Sequence, residues 1–420
     1  MKSSISNIRG MNDILPDISC KWREVEGILT RAAVKYGYNE IRTPILESSA
    51  LFHRSIGQET DIVNKEMYTF NDRRDESLTL RPEGTACVAR ALIQAGLLRN
   101  IGQKVFYQGP MFRYERPQKG RARQFHQFGL EAFGLDGNGI EIEMLSYCAN
   151  IWQELGISEK LTLEVNTLGS AECRIRYKSQ LVDFFIKHKD SLTEEEQIRL
   201  EQNPLRLLDS KNPVIKELLT SAPKLIDVIS YEEKIKFEEL IASCDKLGIK
   251  YKFNPYLVRG LDYYNSTVFE WTTSELGAQG TVCAGGRYDS LVGTLTNGAS
   301  TPAFGFAIGL ERILELITID THKSGGVYII GLCKEAELTI QSIAHTLRKE
   351  LETKVVMDLL DGSIKNKFKR ADKNNAQISL IFGVDEIANN TCTVKHLTTG
   401  EQEEITQENI LVFLKNYFGE

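Results

Sequence analysis

Apolar and polar residues change their period several times along this chain, and each change marks an element. From Trp22 to Tyr36 the pattern is that of an amphipathic helix, which Gly37 can end, and Tyr38 to Pro44 then predicts a strand. Lys104 to Glu115 and Arg123 to Gly134 are rich in aromatic and flexible apolar residues, and the Arg-Pro-Gln-Lys-Gly run between them is turn chemistry, so two antiparallel strands are expected. Side chains alternate along a strand. Arg113 and Glu115 are therefore expected on one face of the first strand, and Phe125, Gln127 and Glu131 on one face of the second. Phe106, Phe112 and Tyr114 fall on the opposite face of the first, and Phe128, Leu130 and Ala132 on that of the second. One side of the hairpin is polar and the other packs.

Residues 170 to 250 read differently. Thr193-Glu-Glu-Glu196 is a capping box, Asn203-Pro204 and Asn212-Pro213 break helices, and aliphatic residues recur at helical spacing, so this stretch is expected to be a helical insertion. A second change begins at Gly325-Gly326. Val327 to Leu332, Val355 to Leu360, Ile378 to Val384 and Thr391 to Leu397 read as strands, and Glu335 to Leu351, Lys365 to Lys373 and Gln407 to Tyr417 as helices. The result is a small α/β domain over 325–420, after a larger one over 1–324.

Composition narrows the class of protein. At 420 residues with 42% apolar content the chain can build more than one core. No apolar run approaches the roughly 20 residues of a membrane span, and Met1-Lys-Ser-Ser-Ile-Ser-Asn does not look like a leader, so a cytoplasmic protein is expected. The eight cysteines lie far apart, without the close pairs of zinc or redox motifs, and are expected to be reduced and mostly buried. A net charge of -6 gives no support to nucleic-acid binding, and residues 325–420 hold 11 Lys plus Arg against 14 Asp plus Glu. The basic run Lys365 to Arg370 is either a solvated helix face or a local phosphate patch.

A polar face inside the sheet of a large protein is costly unless something binds it, because buried charges need partners. Phe112-Arg-Tyr-Glu115 followed by a loop and Arg121-Ala-Arg-Gln-Phe125 resembles motif 2 of the class II aminoacyl-tRNA synthetases. Ala303 to Arg312, a small-residue strand entering a helix, resembles motif 3. The segment from Trp22 to Pro44 is similar to motif 1, which in that class builds a homodimer interface. Arg259-Gly-Leu-Asp-Tyr-Tyr264 and Ala284-Gly-Gly-Arg-Tyr288-Asp resemble the two segments peculiar to the histidyl-tRNA synthetase family, and Thr79-Leu-Arg-Pro-Glu83-Gly-Thr85 fits its subclass.

The fold this resemblance implies is α/β (α+β): an antiparallel-sheet catalytic domain with a helical insertion, and a C-terminal α/β anticodon-binding domain. The implied reaction joins L-histidine to the α-phosphate of ATP, expels pyrophosphate, and passes histidine to the 3' end of tRNA(His). By residue-by-residue carry-over, Arg113 and Arg259 stand at the α-phosphate, where positive charge opposes the charge developing on the oxygens. Phe125 and Arg312 sandwich adenine, Glu115 accepts from its amine, and Arg121 faces the outer phosphates with bound Mg2+. Glu83 and Thr85 accept the ammonium of histidine, Gln127 holds its carboxylate or ammonium end, and Glu131 and Tyr264 bond the two imidazole nitrogens. Tyr263 and Tyr288 wall the pocket, with Tyr288 and its neighbour Arg287 the most open to a purely structural reading. His126, on the packed face, is structural. No residue is assigned to the metal, which arrives with ATP, and none declares itself as the base of the transfer step. The insertion is expected against the acceptor arm of the tRNA.

Two alternatives share this fold. A regulatory paralogue that binds histidine and controls ATP phosphoribosyltransferase lacks the C-terminal domain and the full set of ATP-handling arginines, and this chain has both. A glycyl, prolyl or threonyl synthetase is opposed by Glu131 and by the Arg259 to Tyr264 segment.

Overall fold

The computed structural model describes residues 5–57, 60–99, 102–210, 212–277, 280–318 and 325–420. They form two compact units, Met1–Thr318 and Ile319–Glu420.

The first unit opens with helix α1 (Pro16–Lys35), which starts earlier than the apolar period suggests because Pro16 suits a first helical position. Strand β1 follows at Asn39–Glu40, far shorter than the expected Tyr38 to Pro44. It pairs in parallel with residues 105 and 106, and the Thr43 carbonyl accepts from Arg81 Nη1 at 3.0 Å instead of from a strand. Strands β2 (Leu46–Ser48), β3 (Tyr68–Asn71) and β4 (Ser77–Leu80) make a three-stranded antiparallel sheet, with helix α2 (Ser49–Ser55) between the first two. Helix α3 (Thr85–Gln94) leads into the long hairpin β5 (Gln103–Phe112) and β6 (Gln124–Phe133).

Helix α4 (Asn138–Glu154) and strand β7 (Thr162–Thr167) precede the helical insertion, made of α5 (Ala171–Ile186), α6 (Glu194–Gln202), α7 (Pro213–Leu219) and α8 (Tyr231–Lys246). The Thr193–Glu196 capping box is present, and Ser230 with Glu233 makes a second one. After the insertion come β8 (Tyr251–Phe253), β9 (Asn265–Thr272), β10 (Thr281–Arg287), α9 (Ser290–Thr296), β11 (Ala303–Gly309) and α10 (Leu310–Leu316). The large sheet has the order β1-β5-β6-β11-β10-β9-β7-β8. Its six central strands are antiparallel and only the edge pairs β1/β5 and β7/β8 run parallel.

The hairpin's packed face is as the alternation predicts for Phe128, Leu130 and Ala132, all at or below 1% exposure, with Phe106 stacked on Phe128 at 5.6 Å. Tyr114 differs. The strand ends at Phe112, and Tyr114 lies half exposed in the following loop beneath the Arg123 guanidinium, 3.8 Å from its ring. Arg113 and Glu115 have likewise left the strand, so alternation does not govern them; Glu115 N–H turns back to donate to the Arg113 carbonyl at 2.8 Å. One apolar core runs from Met111, Val268 and Tyr288 of the sheet into Tyr177, Leu181 and Phe185 of the insertion, so the insertion packs directly behind the strands that carry the polar face.

The second unit has strands β12 (Gly326–Gly331), β13 (Lys354–Met357), β14 (Ile378–Phe382), β15 (Thr391–His396) and β16 (Gln402–Thr406), in the order β13-β12-β14-β15-β16. Helices α11 (Ala336–Glu350), α12 (Ile364–Lys373), α13 (Val384–Asn389) and α14 (Ile410–Phe418) complete it. The predicted elements are found at shifted ends, and α13 and β16 are additional. Two members of the basic run on α12 are internal: Lys367 Nζ lies 3.2 Å from Asp358 Oδ2, and Arg370 forks onto both Asp358 oxygens at 2.9 and 2.8 Å. Neither the solvated face nor the phosphate patch describes these two; they tie α12 to the segment after β13.

Six of the eight cysteines are buried, Cys20 and Cys333 are half-buried, and all are free thiols. Among the described residues no helix is long and apolar enough to cross a membrane.

Candidate active site

Strands β6, β10 and β11 border one cavity, and four guanidinium groups converge on it: Arg113, Arg121, Arg259 and Arg312. Glu83, Thr85, Glu115, Phe125, Gln127, Tyr263 and Tyr264 line it as well. Residues separated by more than 200 positions are thus brought together by the order of the sheet.

Each arginine is held by a protein partner. Arg113 Nε donates to the Pro82 carbonyl at 2.9 Å and its guanidinium lies 5.2 Å from the Phe125 ring. Burial draws Arg113 below the usual arginine range, against the pull of Glu66 and Glu83. Arg121 pairs with Glu115. Arg312 donates to the carbonyls of Thr281 and Gly120, and burial together with Arg121 and Arg113 pushes it down to about 10. Arg259 pairs with Glu270; burial works against its charge, but Glu270 and the phenols of Tyr264 and Tyr263 outweigh it and hold it above the ordinary value. Positive charge concentrated this way favours an anionic ligand, since each cation raises the cost of its neighbours until an anion arrives.

Glu83 has a second job. Its carboxylate accepts from the backbone N–H groups of Thr85 at 2.7 Å and Ala86 at 2.8 Å, closing the first turn of α3 while one side faces the cavity. Burial raises its pKa and these amides oppose the rise.

Glu131 lies one layer deeper than the cavity wall, with 0% exposure. It accepts from Thr85 Oγ1 at 2.6 Å and from the Tyr288 hydroxyl. Burial raises its pKa to about 8, opposed by the Thr85 and Tyr288 hydroxyls and reinforced by Glu83. Gly305, opposite Glu131 across the β6/β11 pair, explains how the carboxyl fits: a Cβ there would collide with Glu131 Oε2 and the Tyr288 hydroxyl. Tyr288 is correspondingly not part of the wall where sequence reasoning put it. It is 1% exposed, packed at 5.6 Å from Tyr263 and 5.9 Å from Phe133, because its place at the end of β10 turns it into the core behind Glu131. Arg287 is structural, donating to Glu141 Oε1 at 2.6 Å and to Asp289 at 3.2 Å. His126 is structural too, 2.9 Å from Glu311 and edge-on to Trp22.

Sequence reasoning missed Glu66, whose raised pKa reflects burial opposed by Arg113 and Arg121. It also missed Thr281 and Glu270. A lone carboxylate within Thr267-Val-Phe-Glu-Trp271, an otherwise apolar strand, was the available signal for Glu270.

The histidyl-tRNA synthetase family model matches residues 10–313. The chain belongs to the histidyl-tRNA synthetase family. An anticodon binding domain model matches residues 326–417. A histidine–tRNA ligase of Legionella pneumophila (strain Lens) is 49% identical over 98% of both chains. Among solved structures, the apo histidyl-tRNA synthetase of S. aureus matches with TM-score 0.81 and 36% identity, covering 98% of this chain and 100% of that one. A Nostoc histidyl-tRNA synthetase at 20% identity and TM-score 0.72 shares the fold. The family membership makes this chain an ATP-dependent aminoacyl-tRNA ligase for histidine, with a catalytic unit and an anticodon-binding domain. Full-length relatives named as ligases and the matched anticodon domain leave the regulatory alternative unfavoured.

Proposed function

We propose that the arginine-lined cavity of this histidyl-tRNA synthetase is where histidyl-adenylate forms, with Arg113 and Arg259 at the α-phosphate. The observation that carries this reading is the convergence of four guanidinium groups with Glu83, Thr85, Gln127 and two tyrosines in a single cavity. Two anions, the histidine carboxylate and the triphosphate, must meet there, and a guanidinium that touches both orients as well as neutralises them.

Phe125 offers an apolar face to adenine and Arg312 a cationic one, while Glu115 accepts from the exocyclic amine. Arg121 then leaves Glu115 for the outer phosphates. Glu83 and Thr85 take the ammonium, Gln127 the carboxylate end, and Tyr263 bounds the pocket. Glu131 accepts an imidazole N–H, Tyr264 bonds the other nitrogen, and Tyr288 holds Glu131 in place from behind. Each carboxylate oxygen has two lone pairs, so Glu131 can take a ligand donor besides its present ones.

The cavity's carboxylates fit Mg2+ that comes with ATP. Glu115 is paired with Arg121 and Glu83 caps a helix, and among the described residues no group of His, Cys, Asp or Glu is spaced as a metal cage. When bound with ATP, the ion would supply charge neutralisation at the outer phosphates, beside Arg121. We place the enzyme in the cytoplasm, as a homodimer through the segment from Trp22 to Pro44, directly after which Ile45 and Leu46 are exposed. tRNA(His) is the acceptor, met by the insertion and the C-terminal domain.

The experiment is pyrophosphate exchange into ATP with each of the twenty amino acids, with magnesium and without tRNA. Exchange with histidine alone is expected. Exchange that survives replacement of Arg113 and Arg259 by alanine would overturn the assignment.

A further inference from the structure

We propose that Glu270 is a positioning residue for adenylate formation: it anchors Arg259 from outside the cavity and aims the rest of that guanidinium at the reacting phosphate. The proposal rests on the placement of Arg259 at the α-phosphate given above.

The geometry separates an anchor from a mere substitute for the absent anion. Arg259 and Thr281 line the catalytic cavity, but Glu270 does not; it borders a different hollow, with Tyr256, Leu257 and Lys216. Its carboxylate therefore reaches Arg259 from behind. Arg259 gives it only Nη1, and Arg259 Nε is buried with no protein partner. A buried guanidinium N–H without an acceptor is costly, and because Arg259 lines the cavity in which an anion must bind, an anion seated there can supply the missing acceptor.

Glu270 is itself over-determined. Its second oxygen accepts from Thr281 Oγ1 at 2.7 Å, and the Thr281 carbonyl accepts from Arg312 Nη1. Thr281 thus ties the anchor of Arg259 to Arg312. Across the β7/β9 pair Glu270 faces Glu164, a like charge that would repel it. Glu164 has its own partners, Lys252 Nζ at 3.8 Å and Asn254 Nδ2 at 2.6 Å. Glu270 makes its ion pair with Arg259, so the two carboxylates have different partners. Both side chains of the Arg259–Glu270 pair are less than one-fifth exposed, which makes the pair rigid and poorly screened.

A guanidinium aimed by such an anchor contributes only if it stays aimed while the bond forms, and a displacement of about 1 Å costs on the order of a hundredfold in rate. Glu270→Gln keeps the shape and removes the charge. The expected result is a kcat for ATP–pyrophosphate exchange roughly 10- to 100-fold lower, per active site titrated, with the KM for ATP within about twofold of wild type. In an Arg259→Ala background Glu270→Gln should cost nothing further, because the group it aims is gone. Glu270→Asp, which keeps the charge, should recover part of the rate.

A Glu270→Gln enzyme as fast as wild type overturns the inference. So does a loss that multiplies in full with that of Arg259→Ala, or an Asp variant no faster than the Gln variant. An Arg259→Ala enzyme with unchanged exchange would instead refute the placement of Arg259, and the anchoring role with it. Thermal unfolding of every variant separates a loss of fold from a loss of aim.

Discussion

Replacing Glu131 by glutamine should move two properties in opposite directions. The carboxyl is fully buried and its pKa is raised from the ordinary 4.5 to about 8. A carboxyl whose folded pKa lies above its unfolded one favours the folded state when protonated. Its contribution is fully present below pH 4.5 and is lost as pH rises through about 8. At about 1.4 kcal/mol per pH unit, the interval from 4.5 to about 8 caps the loss at roughly 5 kcal/mol. Glutamine never ionises, so Glu131→Gln should gain on wild type by up to about 1.4 kcal/mol for each pH unit between 5 and 8, then level off.

Histidine binding should respond the other way. The bond from an imidazole N–H to Glu131 is charge-assisted once bound histidine holds the carboxyl ionised, and losing it removes about 1.5 to 3 kcal/mol, or roughly 10- to 100-fold in Kd. ATP affinity should stay nearly intact. The assay is equilibrium urea unfolding of the ligand-free proteins at pH 6, 7, 8 and 9, with calorimetric titration of histidine and of ATP. Titrating groups that do not interact with Glu131 are common to both proteins and cancel in the difference. A stability difference that does not change with pH would refute the buried, largely protonated carboxyl, and unchanged histidine affinity would remove Glu131 from ligand recognition.

Arg259→Ala should slow adenylate formation on the order of 10²- to 10³-fold while changing the Kd for ATP only a few-fold; single-turnover kinetics with a separate binding isotherm check the split. Tyr288→Phe deletes the hydroxyl that donates to Glu131 and should raise the KM for histidine on the order of tenfold, with the KM for ATP unmoved. In the C-terminal unit, burial of Asp358 is outweighed by hydrogen bonds from Arg370 and Lys367, which hold its pKa below the usual value. Asp358→Asn should cost that unit on the order of 1 to 3 kcal/mol at pH 7, and the difference from wild type should shrink as pH falls through the folded pKa of Asp358. Urea unfolding of the full chain at pH 7 and at about pH 2.5, below the ordinary aspartate value of 3.8, measures both.

Much of the lining of the candidate site was legible because its charged and aromatic residues travel in short segments. Arg113 to Phe125, Arg259 to Tyr264 and Ala303 to Arg312 each carry several charged or aromatic groups at close spacing, and the sheet order places them around one cavity. What was illegible depends on contacts between segments. Alternation predicts a face for Arg113 only while the strand lasts, and it stops at Phe112. Tyr288 was placed one layer too shallow, because the depth of a residue at the end of β10 is set by Glu131 and Gly305 on neighbouring strands. The strand Gln402–Thr406 has no apolar alternation to announce it; it is an edge, paired only to β15 and mostly exposed. Arg370 and Lys367 looked like surface cations because the carboxylate they share lies several residues upstream.

Four arginines in one cavity would repel one another strongly if nothing answered them, and the answers are of two kinds. Arg312 leans on backbone carbonyls, which are dipoles that keep the cation in place without neutralising it, and Arg113 donates to one such carbonyl while standing 3.9 Å from Glu115 Oε1. Arg121 and Arg259 have full carboxylates, Glu115 and Glu270. These two pairs differ in where the carboxylate stands: Glu115 is inside the cavity and Glu270 outside it. Under the proposed assignments ATP must part Arg121 from Glu115, and it compensates both, one with phosphate and the other with the adenine amine. The same arrival leaves Arg259 and Glu270 together. The free-energy cost of opening the first pair therefore falls on binding, whereas the second pair survives to act on the chemical step. Substitutions at Glu115 should accordingly appear mainly in the KM for ATP and those at Glu270 mainly in kcat, a division that uniform weakening of a general positive field would not produce.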